Sequence, residues 1–284
     1  MKKKSKQKRV AAIHDISGFG RCSLTVAIPI ISAAGIECSV VPTAVLSTHT
    51  GGFTGFTYLD LTDSILPTAQ HWQDLGLEFD ALYSGFLGSY KQVEIVSDFY
   101  DRFKTSENLV MVDPVMADNG VLYKTFSADF PKEMRKLCKK ADVIVPNMTE
   151  AALLLEEEYR VGPYSKKYIT QTLKKLILLG SKLVVLTGVC FDENTLGAAA
   201  YDANTEEIVY AMAPKIPEQY PGTGDIFASV LLAGLLKRKD LAYATKTAVN
   251  FVSKSIQRTY EAGTDPRYGV NFEVGLKTLA NSTS

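Results

Sequence analysis

Short apolar runs alternate with amphipathic segments along most of the chain. Two segments, residues 92–103 and 166–179, repeat apolar residues every three or four positions, which predicts helices. Six short runs are rich in Val, Ile and Leu and are bounded by turn residues, which predicts buried strands. These runs are residues 10–14, 37–41, 80–84, 109–113, 142–145 and 182–187. This alternation is typical of a mostly parallel sheet with helices on both faces.

The pattern changes in the last third of the chain. Residues 196–201 and 207–212, joined by a turn at 202–205, predict an antiparallel hairpin at one edge of the sheet. Two long helical patterns follow, at residues 225–236 and 241–258. Because no linker, repeat or low-complexity tract interrupts residues 10–260, we predict a single α/β domain over residues 10–284.

Composition and charge narrow the class of protein. The 284 residues are 46% apolar and 22% charged, values typical of a soluble globular chain. Acidic and basic residues balance at 31 each, which gives no indication of a nucleic-acid partner. Six of the basic residues lie in the first nine positions, so we predict a disordered basic tail over residues 1–9.

The sequence also indicates a compartment. Residues 10–13 are too short for the apolar part of a secretory signal, and no stretch approaches the ~18 apolar residues of a membrane span. The four cysteines are widely spaced and form no metal-ligand pair, so we expect free thiols. A cytoplasmic protein is the expectation.

Polar residues follow several of the predicted strands. In open α/β sheets ligands bind at the carboxyl ends of the strands, so these residues are candidates for a site. They are His14 and Asp15 after the first strand, Asp113 and Asp118 after the fourth, Asn147 and Glu150 after the fifth, and Thr187 after the sixth.

The strongest local feature is Pro221-Gly222-Thr223-Gly224-Asp225, which directly precedes an apolar helical pattern. Glycines let backbone N–H groups converge, and a helix N-terminus adds partial positive charge, so the loop is suited to bind an anion. A carboxylate there can deprotonate a hydroxyl beside an incoming phosphoryl group. The alternative is a helix cap formed by Asp225, and the loop alone leaves both open.

A similar choice exists at Asn147-Met148-Thr149-Glu150. Asn followed by Glu three residues later is close to a capping box, but the same two groups can organise a hydrated Mg²⁺. Asp113 either starts a turn or positions metal or nucleotide. The glycines at 18 and 20 do not form a dinucleotide loop, because the third glycine position holds Ser23.

Taken in order, three motifs resemble the ribokinase-like superfamily of ATP-dependent kinases: Asp113-Pro114-Val115-Met116, Asn147-Met148-Thr149-Glu150 and Gly222-Thr223-Gly224-Asp225. Two further segments, Ser47-Thr48-His49-Thr50 and Ser84-Gly85-Phe86-Leu87-Gly88-Ser89, are similar to segments of pyridoxal kinases. The chain thus resembles the pyridoxal/pyridoxamine kinase family over residues 10–258. The resemblance implies a three-layer α/β/α fold.

The resemblance also implies a reaction, the ATP-dependent phosphorylation of the 5′-hydroxymethyl group of a vitamin B6 vitamer, and roles for individual residues. Asp225 is implied as the catalytic base, with the backbone of Gly222, Thr223 and Gly224 as the anion hole. The residues implied around the ATP phosphates and Mg²⁺ are Asp113, Asp118, Asn147, Glu150 and Thr187, with the metal held through phosphates and water near Asp118 and Glu150. The residues implied on the substrate side are Asp15, His49, Thr50 and Phe86.

This chain departs from the family at two substrate-side positions. Asp15 stands where pyridoxal kinases commonly have a serine that bonds the pyridine ring, so it would favour a protonated ring nitrogen or the amine of pyridoxamine. Phe86 stands at the position of a tyrosine and keeps only the ring face. The family also places a mobile loop over ATP at residues 119–125.

Two alternatives to a B6 kinase stay open. One is a hydroxymethylpyrimidine kinase of thiamine synthesis, which the Ser47–Thr50 segment disfavours. The other is a non-catalytic pyridoxal phosphate binder, which is disfavoured because Asp225, Asp113 and Glu150 are all intact. The resemblance further implies a homodimer and, besides Mg²⁺, a K⁺ requirement. No role is assigned to the C-terminal residues 262–284, where Phe272, Val274, Leu276 and Leu279 form a helix-like pattern.

Overall fold

A computed structural model describes residues 7–237 and 239–282. The strands are β1 (Arg9–Phe19), β2 (Glu37–Thr48), β3 (Tyr58–Asp60), β4 (Ala81–Ser84), β5 (Leu109–Val112), β6 (Ala117–Asp118), β7 (Val121–Leu122), β8 (Val143–Ile144), β9 (Leu183–Val189), β10 (Thr195–Asp202) and β11 (Ile208–Pro214). The helices are α1 (Leu24–Ala33), α2 (Thr62–Asp74), α3 (Tyr90–Phe103), α4 (Phe130–Cys138), α5 (Met148–Leu155), α6 (Lys166–Ile177), α7 (Thr223–Leu236), α8 (Leu241–Glu261) and α9 (Leu276–Ser282).

Nine strands form one sheet in the order β11-β10-β9-β8-β5-β4-β1-β2-β3. The six central strands are parallel to their neighbours, whereas β10 and β11 at one edge and β3 at the other run antiparallel. The predicted mostly parallel sheet with an antiparallel edge hairpin is therefore confirmed. The short edge strand β3 was not predicted, because three residues are too few for a periodic signal.

Both faces of the sheet are covered by helices, as predicted. Alternate residues of β1 point to opposite sides: Val10 and Ala12 belong to one apolar cluster, and Ala11 and Ile13 belong to the other. Helix α7 is buried along nearly its whole length, which its almost entirely apolar sequence explains. Its N-terminus is thereby fixed at the edge of the sheet where the parallel strands end.

The first two strands are longer than the sequence predicts. β1 continues beyond His14 to Phe19, and β2 continues to Thr48, with a register shift between His14 and Ile16. Polar side chains end the apolar pattern at His14, but backbone pairing with β2 does not depend on them. Asp15 therefore lies within a strand rather than in the loop after it.

The N-terminal boundary also differs from the prediction. β1 begins at Arg9, and the Lys8 ammonium lies 2.7 Å from the Asp80 carboxylate, so these two residues belong to the fold. Positions 8 and 9 therefore do not belong to a disordered tail, and residues 1–6 of that prediction lie outside the described residues.

Two segments predicted only in outline have defined structure. The predicted mobile loop at 119–125 contains the turn and the second strand of a hairpin formed by β6 and β7, and the turn holds Asn119 and Gly120 at positive φ. The C-terminal pattern forms a 3₁₀ turn at Glu273–Gly275 followed by α9. Within residues 7–237 and 239–282, no helix has both the length and the hydropathy to cross a membrane.

Candidate active site

Asp225 lies in the first turn of α7, at the edge where the parallel strands end. The helix is capped by Gly222 in the left-handed conformation, with φ of 78°. The Asp225 Oδ2 atom instead accepts a hydrogen bond of 2.9 Å from the backbone N–H of Ser23, in the loop that follows β1. Asp225 is thus not the cap residue, and its carboxylate is directed toward the loop that follows β1.

The environment of Asp225 suits proton transfer near neutral pH. Burial raises the pKa of this carboxyl to about 7, with a smaller contribution from the charge of Asp15, while the Ser23 N–H lowers it. A carboxylate with a pKa near the working pH is an effective general base.

The glycine loop before α7 is packed against the residue-21 peptide. A Cβ at Gly222 would overlap the carbonyl oxygen of Arg21 and lie 3.3 Å from the Cys22 Sγ. The Thr223 hydroxyl donates to the Tyr220 carbonyl at 3.2 Å, and the Cβ position of Gly224 is 4.0 Å from the Asp113 Oδ2. The loop is therefore held between the end of β1 and the carboxylate of Asp113.

Asn147 and Glu150 form the capping box that the sequence suggested. The Glu150 carboxylate accepts hydrogen bonds from the N–H groups of Asn147 at 2.8 Å and Met116 at 3.1 Å, and the Asn147 Oδ1 accepts from the first turn of α5. The Asn147 amide also donates to the Ala117 carbonyl at 2.8 Å, and the backbone of Asn147 forms an isolated parallel β-bridge with Thr187 of β9.

Three carboxylates are gathered beside this box. Asp113 and Glu150 are almost completely buried, and Asp118 is exposed at the start of the β6–β7 turn. Burial raises the pKa of Asp113, and the charges of Glu150 and Asp225 raise it further. Burial likewise raises the pKa of Glu150 to about 8. Burial and mutual repulsion thus favour the protonated forms of Asp113 and Glu150, and a bound cation would favour their ionised forms.

The donor set fits a hydrated Mg²⁺. Carboxylate oxygens are the ligands that Mg²⁺ prefers, and it retains several waters. Within residues 7–237 and 239–282, no group of three His, Cys, Asp or Glu side chains could hold a metal alone. The Glu150 oxygens already accept two N–H bonds, so Glu150 fits a water-mediated role rather than direct coordination.

Asp15, in β1, lies near Asp225. Its carboxylate accepts hydrogen bonds from the hydroxyls of Ser23 at 2.5 Å and Ser17 at 3.1 Å, and only 5% of the residue is exposed. Burial raises its pKa, whereas the two hydroxyls lower it. Ser23 therefore contacts both carboxylates, Asp15 through its hydroxyl and Asp225 through its N–H.

The other predicted substrate residues lie at the ends of β2 and β4. The His49 Nδ1 accepts from the N–H of Gly51 at 3.1 Å, so its Nε2 donates to the Arg267 carbonyl at 2.7 Å. Thr50 is exposed in the following turn, and Phe86 is half-buried, with its ring centroid 5.7 Å from that of Phe126.

Several residues at this edge were not found from the sequence. Ser23 is one of them, because its backbone N–H bonds the Asp225 carboxylate across 202 residues of sequence, a contact that no local pattern signals. Burial raises the pKa of Tyr123, and the charges of Glu150, Asp118 and Asp113 add to this, so its ring lies near the acidic cluster.

A cavity of about 420 Å³ lies beside the strand ends, lined by Glu193, Asn194 and residues 215–219.

Comparison with known proteins defines the family. The sequence profile of the family described as phosphomethylpyrimidine kinase matches residues 28–269. The chain belongs to this family. The resemblance to the pyridoxal/pyridoxamine kinase family is confirmed at family level, since proteins similar to this chain include pyridoxal kinases as well as pyrimidine kinases.

Three similar proteins carry the names of two different kinase activities. A hydroxymethylpyrimidine/phosphomethylpyrimidine kinase of Aquifex aeolicus is 29% identical over 196 residues, 66% of this chain and 74% of that protein. A Bacteroides thetaiotaomicron protein, described provisionally as a phosphomethylpyrimidine kinase and crystallised with pyridoxal, is 41% identical, with a TM-score of 0.92 and 96% of both chains covered. Pyridoxal kinase of Lactobacillus plantarum is 31% identical, with a TM-score of 0.88 over 97% of this chain and 98% of that one.

The two crystal structures match the fold almost from end to end, whereas the alignments with the first curated relatives span between 52% and 74% of those proteins. The α/β fold with its mostly parallel sheet is thus that of the pyridoxal kinases.

Proposed function

We propose that this protein is a vitamin B6 kinase, which transfers the γ-phosphoryl group of ATP to the 5′-hydroxymethyl group of pyridoxal, pyridoxamine or pyridoxine. The observation that carries the proposal is the placement of Asp225. Its carboxylate stands at a helix N-terminus, between a substrate-side carboxylate and a buried acidic cluster, with a pKa of about 7.

Asp225 accepts the proton of the substrate hydroxyl as its oxygen attacks the γ-phosphorus, and the bond from phosphorus to the bridging oxygen of ADP breaks. Negative charge on the transferring group is stabilised by the N–H groups of Gly222, Thr223 and Gly224 at the start of α7. Phosphoryl transfer needs mainly alignment and charge stabilisation, which these rigid elements supply.

The nucleotide occupies the acidic side of the site. The residues that would hold Mg²⁺, through water and phosphate oxygens, are Asp113, Asp118 and Glu150, with Asn147 bonded to Glu150 in the same network. Thr187 would contact the nucleotide, and Mg²⁺, when bound, would neutralise charge on the phosphates. The cavity of about 420 Å³ lined by residues 215–219, which follow β11, falls within the volume range of small-molecule sites.

The substrate ring lies on the opposite side, among Asp15, His49, Thr50 and Phe86. A buried carboxylate at Asp15 favours a cationic partner such as a protonated pyridine nitrogen or the pyridoxamine amine. Both His49 nitrogens already have protein partners, so His49 shapes the pocket rather than bonding the ring. The pyridoxal in the crystals of the Bacteroides relative supports a B6 vitamer as the ligand.

Hydroxymethylpyrimidine is the second candidate substrate. The family description and the Aquifex relative favour it, and it carries the same reacting group, a hydroxymethyl on a nitrogen heterocycle. The same base and anion hole would serve, so the two candidates differ only on the substrate side. A homodimer, a K⁺ requirement and a cytoplasmic location remain predictions.

The test is ADP release by the purified protein with Mg-ATP and each of pyridoxal, pyridoxamine, pyridoxine and hydroxymethylpyrimidine, with ribose as the negative control. We expect turnover on at least one B6 vitamer with higher kcat/KM than on the pyrimidine. Turnover on the pyrimidine alone would replace the B6 proposal with the second candidate. Pyridoxal phosphate binding without turnover on any compound would indicate a non-catalytic binder.

A further inference from the structure

The C-terminal segment, residues 264–275, contacts the loops that follow β1 and β2. It is anchored to α8: the N–H of Asn271 donates to the Thr259 hydroxyl at 2.7 Å, and the Arg258 guanidinium donates to the Asn271 carbonyl at 3.0 Å. Val270 and Phe272 are fully buried in the core. The segment is therefore anchored to the core of the fold.

Arg21 connects this segment to the loop after β1. Its Nε lies 2.6 Å from the Glu273 Oε1, and its Nη1 donates to the Tyr268 carbonyl at 3.3 Å. Gly269, at φ of 76°, lets the two backbones approach, since a Cβ there would lie 2.9 Å from the Cβ of Arg21. The position of Arg21 is thus set by the C-terminal segment.

The same loop supports the reacting groups. The Arg21 carbonyl is packed against Gly222, so the residue-21 peptide is one wall of the proposed anion hole. Two residues later, the Ser23 N–H bonds the Asp225 carboxylate. A displacement of Arg21 would therefore move the anion hole and the hydrogen bond to Asp225 together.

A second set of contacts joins the segment to the loop after β2. His49 donates to the Arg267 carbonyl, and the Arg267 guanidinium lies 5.5 Å from the ring centroid of Phe53. The ring of Phe53 is stacked on Tyr268 at 6.4 Å, and Tyr268 meets Phe19 edge to face at 4.9 Å. Both substrate-side loops are thus fixed to the same C-terminal segment.

We propose that the C-terminal segment positions Asp225 and the anion hole, and that Arg21 and Glu273 are positioning residues for phosphoryl transfer. This inference rests on the proposed function. Neither residue touches the reacting atoms; the ion pair acts through the loop at residues 18–23.

The clearest perturbation is Glu273→Gln, which removes the charge and keeps the shape. We expect kcat/KM to fall about tenfold, because misplacement of reacting groups by a fraction of an ångström is costly. The acid limb of the pH profile should also move to higher pH, because the hydrogen bond from the Ser23 N–H, which lowers the pKa of Asp225, is loosened.

The titratable groups facing Asp225 are Asp15 from β1, Cys22 from the loop, Tyr83 from β4, Asp113 after β5 and Tyr123 after β7.

The chain supplies a matched control in the ion pair of Arg9 and Glu37. The Nε-to-Oε1 distance is 2.8 Å in this pair and 2.6 Å in the pair of Arg21 and Glu273. The arginine side chain is 30% exposed in both pairs, and the glutamate is 43% exposed at Glu37 and 50% at Glu273. The control pair, however, lies at the far end of β1 and β2. Glu37→Gln should leave kcat/KM and the acid limb unchanged.

Charge reversal makes the test specific to the pair. Arg21→Glu and Glu273→Arg should each lower kcat/KM at least tenfold, and the double variant should recover most of the loss. Hydrogen exchange of the amides in residues 18–24, measured without substrate, should be faster in both single variants and slower again in the double variant.

Three results would overturn the proposal: wild-type kinetics and exchange in Glu273→Gln, equal losses in Glu37→Gln, or additive losses in the double variant. The exchange measurement does not depend on turnover. If wild-type protein phosphorylates no vitamer but exchange follows the expected order, the proposed function fails while the positioning of the loop stands.

Discussion

A single methyl group added at Gly222 is the most direct way to displace the proposed anion hole relative to Asp225. Gly222 lies at φ of 78°, and a Cβ there would overlap the Arg21 carbonyl oxygen and lie 2.9 Å from its carbon. Ordinary contact begins at about 3.4 Å, so the Arg21 carbon alone must recede by about 0.5 Å, and the oxygen by more.

The magnitude follows from two separate costs in Gly222→Ala. The left-handed conformation costs a residue with a Cβ about 1–2 kcal/mol, which lowers the free energy of unfolding. The clash is with backbone, which side-chain rotation cannot relieve, so the loop at residues 18–23 or the start of α7 must shift. A 1 Å misplacement costs about 10²-fold in rate, so we expect kcat to fall between about 10- and 100-fold.

Gly76→Ala is the matched control. Gly76 also has a positive φ, 63°, but nothing lies within 4 Å of its Cβ position, in the turn after α2. Both variants should lose similar stability from the backbone conformation, measured by denaturant unfolding, and Gly222→Ala should lose additional stability from the clash. Only Gly222→Ala should lose kcat in the ADP-release assay. Wild-type kcat in Gly222→Ala, or an equal loss in Gly76→Ala, would refute the reasoning.

Three further predictions concern the carboxylates. Because Asp225 must be ionised to accept a proton and its pKa is about 7, kcat/KM at pH 6 should be roughly a tenth of its plateau value, and a flat profile to pH 5 would contradict this. Asp15→Asn removes a charge that raises the pKa of Asp225, so the acid limb of the same profile should move to lower pH; a limb that stays or rises would exclude this coupling. Folded Glu150 has a pKa of about 8 against an ordinary 4.5, so between these pH values the folded state holds a proton that the unfolded state has released. The melting temperature without Mg²⁺ or ATP should therefore fall as the pH rises from 4.5 to 8. Glu150→Gln should flatten that fall, and an unchanged slope would contradict the assignment.

The general fold was predictable because its elements are long and periodic. The strands of the central sheet, the edge hairpin and the helices α3, α6, α7 and α8 all carry strong period-2, continuous apolar or 3.6-residue patterns. The ends of β1 and β2 were not predictable, since their polar residues break the pattern while backbone pairing continues.

The candidate site was predictable where a motif is local. The capping box of Asn147 and Glu150 and the glycine loop before Asp225 lie within a few residues of sequence, so their geometry follows from neighbouring positions. The link from Ser23 to Asp225 spans 202 residues, and the link from Arg21 to Glu273 spans 252, so only the fold brings these groups together. The role of the C-terminal segment was for that reason invisible in the sequence.

The central claim, that Asp225 is the base of a B6 kinase, is tested most directly by Asp225→Asn. The amide keeps an oxygen that can accept the Ser23 N–H but cannot take the substrate proton. With Mg-ATP and the preferred vitamer saturating, the account predicts that kcat falls about 10²- to 10⁴-fold while the melting temperature is not lowered. Retention of the wild-type kcat by Asp225→Asn would contradict it.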